Sequence, residues 1–210
     1  MTQDLTQGRP LGMVWRFTLP VLLGLMLQQV YSLVDTMIVG HALGVMALGG
    51  VGATGSVNFL VIGFCSGLCT GMTIPLAQAF GAGDDAQLRR HAAGCVWIGV
   101  FMSAALLALT LPLCRSLLSW MSTPAEQMEY AFDYIFIIFL GIPATILYNL
   151  CACVLRALGD SRSPVWFLAI ASGINIVLDL LMVCVLDMGV SGAAIATVIS
   201  QLASCVIGFR

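Results

Sequence analysis

Long apolar runs, separated by short polar segments rich in glycine and proline, recur from one end of the chain to the other. Bounding the runs by charge, Gly and Pro clusters places six spans at about 14–39, 47–80, 90–114, 128–155, 164–186 and 189–209. About 20 apolar residues cross hydrocarbon as a helix, whereas a barrel strand needs only about 9 to 11. The runs therefore predict helices, which also satisfy their own backbone hydrogen bonds in lipid. The second and fourth runs exceed the crossing length and are expected to tilt or to project into water. The first, Phe17 to Gly40, is too long for the apolar region of a secretion signal and is not followed by an obvious small-residue cleavage site, so it reads as a retained first span.

Breaks in the pattern add local detail. Pro20 lies in the first half of span one and Pro143 inside span four; proline removes a backbone donor, so both predict kinks, and Pro20 is a candidate bend that moves. Gly63, Gly67 and Gly71 repeat every fourth residue of span two, an expected groove for a neighbouring helix. Gly81-Ala-Gly-Asp84 predicts a turn, with a surface helix beginning before Arg90. Leu155 to Pro164 reads as a tight turn anchored by Arg156 and Arg162. The short connection Asp187–Gly192 makes spans five and six neighbours.

Composition fixes the class. Of 210 residues, 60% are hydrophobic and 9% charged, too little charge to coat a soluble domain of this size. The chain reads as an all-α polytopic membrane protein. All eight basic residues are Arg, the formal net charge is −2, and no basic block exists, which argues against nucleic acid as a partner. The eight cysteines lie in or at the ends of apolar runs without zinc-site spacing, and read as small packing residues. If odd-numbered spans run outward, Arg9, Arg16, Arg89, Arg90, Arg156, Arg162 and Arg210 share one side and only Arg115 the other. The positive-inside rule then places both ends of the segment in the cytoplasm, on a plasma or inner membrane. Glu126, Glu129 and Asp133 gather at the opposite mouth, where they either attract cations or simply sit at a helix N-terminus.

Besides Glu129 and Asp133 at the outer mouth of span four, two acids fall inside the spans, Asp35 in the first and Asp179 in the fifth, and no Lys, Arg or His in any span can pair with them. An acid at bilayer depth costs about 2.5–3.5 kcal/mol on insertion scales, so something must compensate it. With a rise of about 1.5 Å per residue, Asp35 lies about 6 Å inside the outer boundary, and Asp179 and Thr197 about 10 Å. Asn175 shares the face of Asp179, one turn deeper. Two carboxylates brought together require a proton or a bridging cation, and oxygen ligands from Asp, Asn and Thr suit Na⁺. Otherwise each acid is permanently protonated and bonds a neighbouring helix.

These features together resemble the N-terminal half of a multidrug and toxic compound extrusion (MATE) transporter. The resemblance covers all six spans and is carried by Pro20, Val34–Gly40, the Gly81-Ala-Gly-Asp84 loop, Leu155-Arg-Ala-Leu-Gly-Asp160, and Asn175 with Asp179. It implies a cation site, for Na⁺ or H⁺, made by Asp35, Asn175, Asp179 and Thr197, with Tyr134 in the supporting hydrogen-bond network and Pro20 as the bend of the first helix. It also implies export of amphipathic, often cationic organic compounds by antiport, with no cofactor besides the coupling ion. The family has two six-helix lobes, so the chain resembles one lobe of a twelve-helix transporter. A missing C-terminal lobe, or a second half-transporter, is then an expected partner alongside the bilayer and the organic substrate.

Other readings compete. A flippase for lipid-linked precursors, of related architecture, calls for a basic cavity that these spans lack. Gly189-Val-Ser-Gly192 matches the GxSG of rhomboid-like intramembrane serine proteases, but no histidine follows Ser191 to act as base. A structural membrane protein leaves the two acids unexplained.

Overall fold

In a computed structural model, which describes residues 10–208, the chain is all-helical. Helix α1 (Pro10–Gly81) is two helices in one, because Gly44 takes φ 83° and ψ −178° and breaks the helical path between residues 10–43 and 45–81. Such a backbone is strained for any residue with a Cβ, so glycine permits this sharp a reversal. Helix α2 (Asp85–Trp120) follows, capped by the Asp84 carboxylate, which accepts from the Gln87 N–H at 3.0 Å. Helices α3 (Met128–Leu140) and α4 (Ile142–Ala157) follow, then α5 (Ser163–Asp179), a π-helical segment (Leu180–Val185) and α6 (Gly189–Gly208). Counting the two arms of α1 separately, α3 with α4 as one bent crossing, and α5 with its π segment, the described residues form the six expected crossings.

Several boundaries move. Helix α2 starts before Arg90 and runs past Cys114 to Trp120. The kink expected at Pro143 is real, and sits at Gly141: the segments Ala125–Leu140 and Ile142–Ala157 meet at 52°. Pro143 lies in the first turn of α4, where its missing N–H leaves no bond unmade. The backbone runs helically through Pro20.

Helix α3 joins two cores. On one side Ile135 and Phe139 pack with Cys65 and Cys69 of α1, Cys95, Cys114 and Leu118 of α2, and Ile146 and Leu150 of α4. On the other, Tyr134 and Ile138 pack with Val39, Val183, Val190, Ala193 and Ala194. All eight cysteines are free, and those in the first core fill the role of small packing residues. The groove expected at Gly63, Gly67 and Gly71 needs correction: a Cβ at any of the three meets nothing within 4 Å, and all three are exposed. Small residues make a smooth strip, but no helix among the described residues lies on it.

At the α4–α5 turn, Gly159 adopts φ 82° and Asp160 organises the start of α5. One carboxylate oxygen accepts from the Arg162 and Ser163 N–H groups, each at 3.0 Å, and the other from the Ser163 hydroxyl at 2.7 Å. Partial burial opposes the charge, but these hydrogen bonds outweigh it and hold the Asp160 carboxyl below the usual carboxylate range. Asp160→Ala is expected to destabilise the fold by about 1 kcal/mol at neutral pH, as loss of a helix-capping oxygen does. A depressed pKa stabilises above the unfolded value near 3.9 and loses that contribution as pH falls through the folded value. Melting curves of wild type and variant in detergent are therefore expected to converge below about pH 4.

Candidate functional site

The first arm of α1, α5 and α6 converge on the residues singled out by the sequence. Asn175 and Asp179, four apart on α5, are both fully buried, and Asp35 on α1 is 8% exposed. The carboxyl groups of Asp35 and Asp179 meet across the α1–α5 interface. One oxygen of each is buried without any hydrogen-bond partner in the described structure. The ion pair between Arg115 and Glu129, 3.4 Å apart, lies on the exposed α2–α3 surface, where the Arg115 guanidinium also covers the Phe132 ring at 4.7 Å. It belongs to one of the three acids at that mouth, and no ion pair among the described residues reaches the buried pair.

Thr197 on α6 closes the group. With the Asn175 amide oriented to satisfy both of its polar atoms, its nitrogen donates to Asp179 Oδ2 at 2.8 Å and its oxygen accepts from the Thr197 N–H at 3.2 Å. The amide thus turns its NH₂, rather than the expected carbonyl oxygen, towards Asp179. The Thr197 hydroxyl donates to the Ala193 carbonyl at 3.1 Å and lies 3.4 Å from the Tyr31 hydroxyl. Tyr31 is absent from the sequence-based site. It lies four residues before Asp35, on the same helix face, and that spacing was the available signal. One turn beyond Thr197, Gln201 accepts a hydrogen bond from Thr145 of α4 at 2.8 Å, extending the polar contacts into the lobe.

Tyr134 is buried beside this group, in the core that holds Val39 and Val183, each one turn from an acid. Among the described residues its hydroxyl makes no hydrogen bond to Asp35, Asn175, Asp179 or Thr197, so it lines the site without entering the network. Ser191 falls in the opening turn of α6, just after Gly189 at φ 63°, where a small polar residue suits a helix start.

The π segment begins at the residue after Asp179, and such wide turns occur frequently at functional sites. Its Met182 backbone lies against Gly192: a Cβ there would fall 3.1 Å from the Met182 Cβ and 3.2 Å from its carbonyl carbon and oxygen. Glycine at the start of α6 therefore lets the widened end of α5 approach closely. Among the described residues no three His, Cys, Asp or Glu side chains cluster as a metal centre. The donor set is two carboxyls, an amide and hydroxyls, the chemistry of a hard monovalent ion or a proton.

Known proteins share this fold. Probable multidrug resistance protein YpnP of Bacillus subtilis (strain 168) is 34% identical over 198 residues, covering 94% of this chain and 44% of its own length. A structure of the outward-facing conformation of a multidrug resistance MATE family transporter of the MOP superfamily superposes with a TM-score of 0.90 at 27% identity, over 98% of this chain and 45% of that one. A MOP superfamily transporter from Pyrococcus furiosus, for which reverse polarity of the binding pocket suggests a different function, gives a TM-score of 0.90 at 28% identity, again over 98% and 45%. The chain spans less than half the length of each of these relatives. The fold matches one lobe of theirs, and with the MatE family model matching residues 20–181, the chain belongs to the MatE family.

Proposed function

We propose that this chain is the N-terminal lobe of a cation-coupled antiporter that exports amphipathic, often cationic organic compounds. The observation that carries the reading is the buried meeting of Asp35 and Asp179 with no basic side chain among the described residues to compensate them. A mobile Na⁺ or H⁺ supplies the missing positive charge. Asp35 and Asp179 bind it; Thr197 and Asn175 supply neutral oxygens, the latter after its amide turns over; Tyr31 and Tyr134 enclose the group. Arg placement supports an orientation with both ends of the segment in the cytoplasm, which sets the two acids in the outer half of the membrane, where the ion enters from outside. Loss of the negative charge on Asp35 shifts the first helix about Pro20 and weakens the hold on a cationic substrate, which leaves outward. Coupling works only if ion and substrate favour different states or compete for the same carboxylates. The second lobe that completes the substrate cleft comes from a C-terminal continuation or a second half-transporter.

The test is thermal melting in detergent against Na⁺ at constant ionic strength, with Asp179→Asn as control. A ligand that binds only the folded state stabilises it by about 2.7 kcal/mol at a hundredfold excess over Kd. A Na⁺-specific rise of the midpoint, lost in the variant, is the outcome expected for Na⁺ coupling. For proton coupling the midpoint ignores Na⁺ and instead shifts with pH more in wild type than in Asp179→Asn. If neither Na⁺ nor pH separates wild type from the variant in the complete transporter, the reading fails.

A further inference from the structure

The α4–α6 interface carries a polar contact that helix packing alone does not call for. The hydroxyls of Thr36, Thr73 and Thr110 each donate to the carbonyl four residues back in their own helix, which satisfies a threonine without any partner helix. Thr145, 6% exposed, instead donates across to Gln201 Oε1 of α6 at 2.8 Å. Its own carbonyl accepts from the Asn149 amide at 2.9 Å, so this turn of α4 is braced from below as well. One turn earlier on α4, a Cβ at Gly141 would collide with Val198 of α6. The two helices therefore touch at successive turns, once through a side chain seated against the Gly141 bend and once through a directional hydrogen bond.

Thr197 immediately precedes Val198, and its N–H donates to Asn175 at 3.2 Å while its hydroxyl lies 3.4 Å from that of Tyr31. Where α6 sits against α4 thus sets where Thr197 sits against α5 and α1. Successive helical residues are turned by about 100°, so even a partial rotation of α6 carries the Thr197 groups off their partners. Val198 against glycine is an apolar contact that tolerates sliding. The Thr145–Gln201 bond does not, because a hydrogen bond weakens steeply off its axis. We infer that Thr145 and Gln201 are positioning residues of the cation site, holding α6 in the rotation that presents Thr197 to Asn175 and, through it, to Asp179. The inference rests on the reading of Asp35, Asn175, Asp179 and Thr197 as a cation site, and adds to that site a support on α4. Nearer the end of α6, the Ser204 hydroxyl donates to the Phe167 carbonyl of α5 at 2.8 Å. This second tie keeps α6 in the lobe without the α4 bond, so losing that bond alters the site rather than the fold.

Export of a fluorescent organic cation by the complete transporter in proteoliposomes, measured against the concentration of the driving ion, Na⁺ or H⁺, tests this. Thr145→Val keeps the shape of the side chain and removes its hydroxyl. This variant and Gln201→Leu are each expected to raise the ion concentration for half-maximal export by about 3- to 10-fold, the worth of one interhelical hydrogen bond in a membrane, while the rate at saturating ion is kept. The double variant is expected to match either single one, since both break the same bond, and Thr145→Ser to restore the wild-type ion dependence. An unchanged half-maximal concentration in both single variants, additive shifts in the double, or a lower maximal rate with the same ion dependence overturns the inference. Asp179→Asn, run alongside, tests the underlying reading by itself. If it exports normally with an unchanged ion dependence, the cation site itself is wrong. If it loses ion-driven export while Thr145→Val keeps the wild-type ion curve, only the positioning role is wrong.

Discussion

Asp35→Asn in the complete transporter is expected to leave membrane insertion intact while cation-driven export falls about 5- to 150-fold, the range spanned by coupling free energies of about 1–3 kcal/mol. Asn keeps the shape of the side chain and removes the charge that must alternate between ion-bound and empty states. Because Asp35 meets Asp179 in a buried place, neutralising one partner also relieves their mutual repulsion, so the melting midpoint should hold or rise as transport is lost. Asp179→Asn should behave alike, with a second effect, since a neutral amide at that position accepts more weakly from the Asn175 NH₂. Efflux of a fluorescent organic cation from proteoliposomes under an imposed Na⁺ or pH gradient measures both. Normal export by both variants would sink the site assignment.

The largest effect on stability should come from Gly50. A Cβ there would lie 2.7 Å from the Tyr130 Cβ and 3.1 Å from both the Ala131 nitrogen and the Gln127 carbonyl oxygen. Backbone atoms cannot swing aside as a side-chain tip can, so the start of the second arm of α1 must separate from the start of α3. Gly50→Leu is expected to destabilise the lobe by about 3 kcal/mol, at the upper end of ordinary overpacking. Gly63→Ala is the matched control. Its Cβ meets nothing within 4 Å, so it should gain about 0.5–1 kcal/mol from reduced chain entropy. Melting midpoints in one detergent rank the two, and equal midpoints would contradict the close approach at Gly50.

Much of the lobe was legible because lipid imposes blunt rules. Crossing length set the six spans, and Asp35 and Asp179, with Asn175 one turn away, stood out because acids are scarce at that depth, whereas Thr197 was singled out by the family resemblance. What escaped notice was chemistry disguised as packing. Tyr31 is amphipathic, and its spacing of four from Asp35 puts it on the same face without saying whether its hydroxyl meets lipid headgroups or Thr197. Leu180–Val185 is uniformly apolar, so no periodicity marked the change from α to π winding. The orientation of the Asn175 amide depends on a neighbour 22 residues away. The stripe of Gly63, Gly67 and Gly71 showed a smooth face but could not show whether its partner lies within the same chain. Pro143 announced a bend, while the backbone placed it at Gly141, close to Val198 of α6, where a side chain would collide.

The π segment has a consequence for reading relatives of this chain. Its turns close through i→i+5 bonds, as from the Leu186 N–H to the Leu181 carbonyl at 2.9 Å, and each takes one residue more than an α turn. A homologue with regular winding after Asp179 therefore reaches the same place in space with one residue fewer. A single-residue gap between Asp179 and Gly189 in an alignment would then record a change of helical pitch, and the residues on either side of it would still correspond one to one.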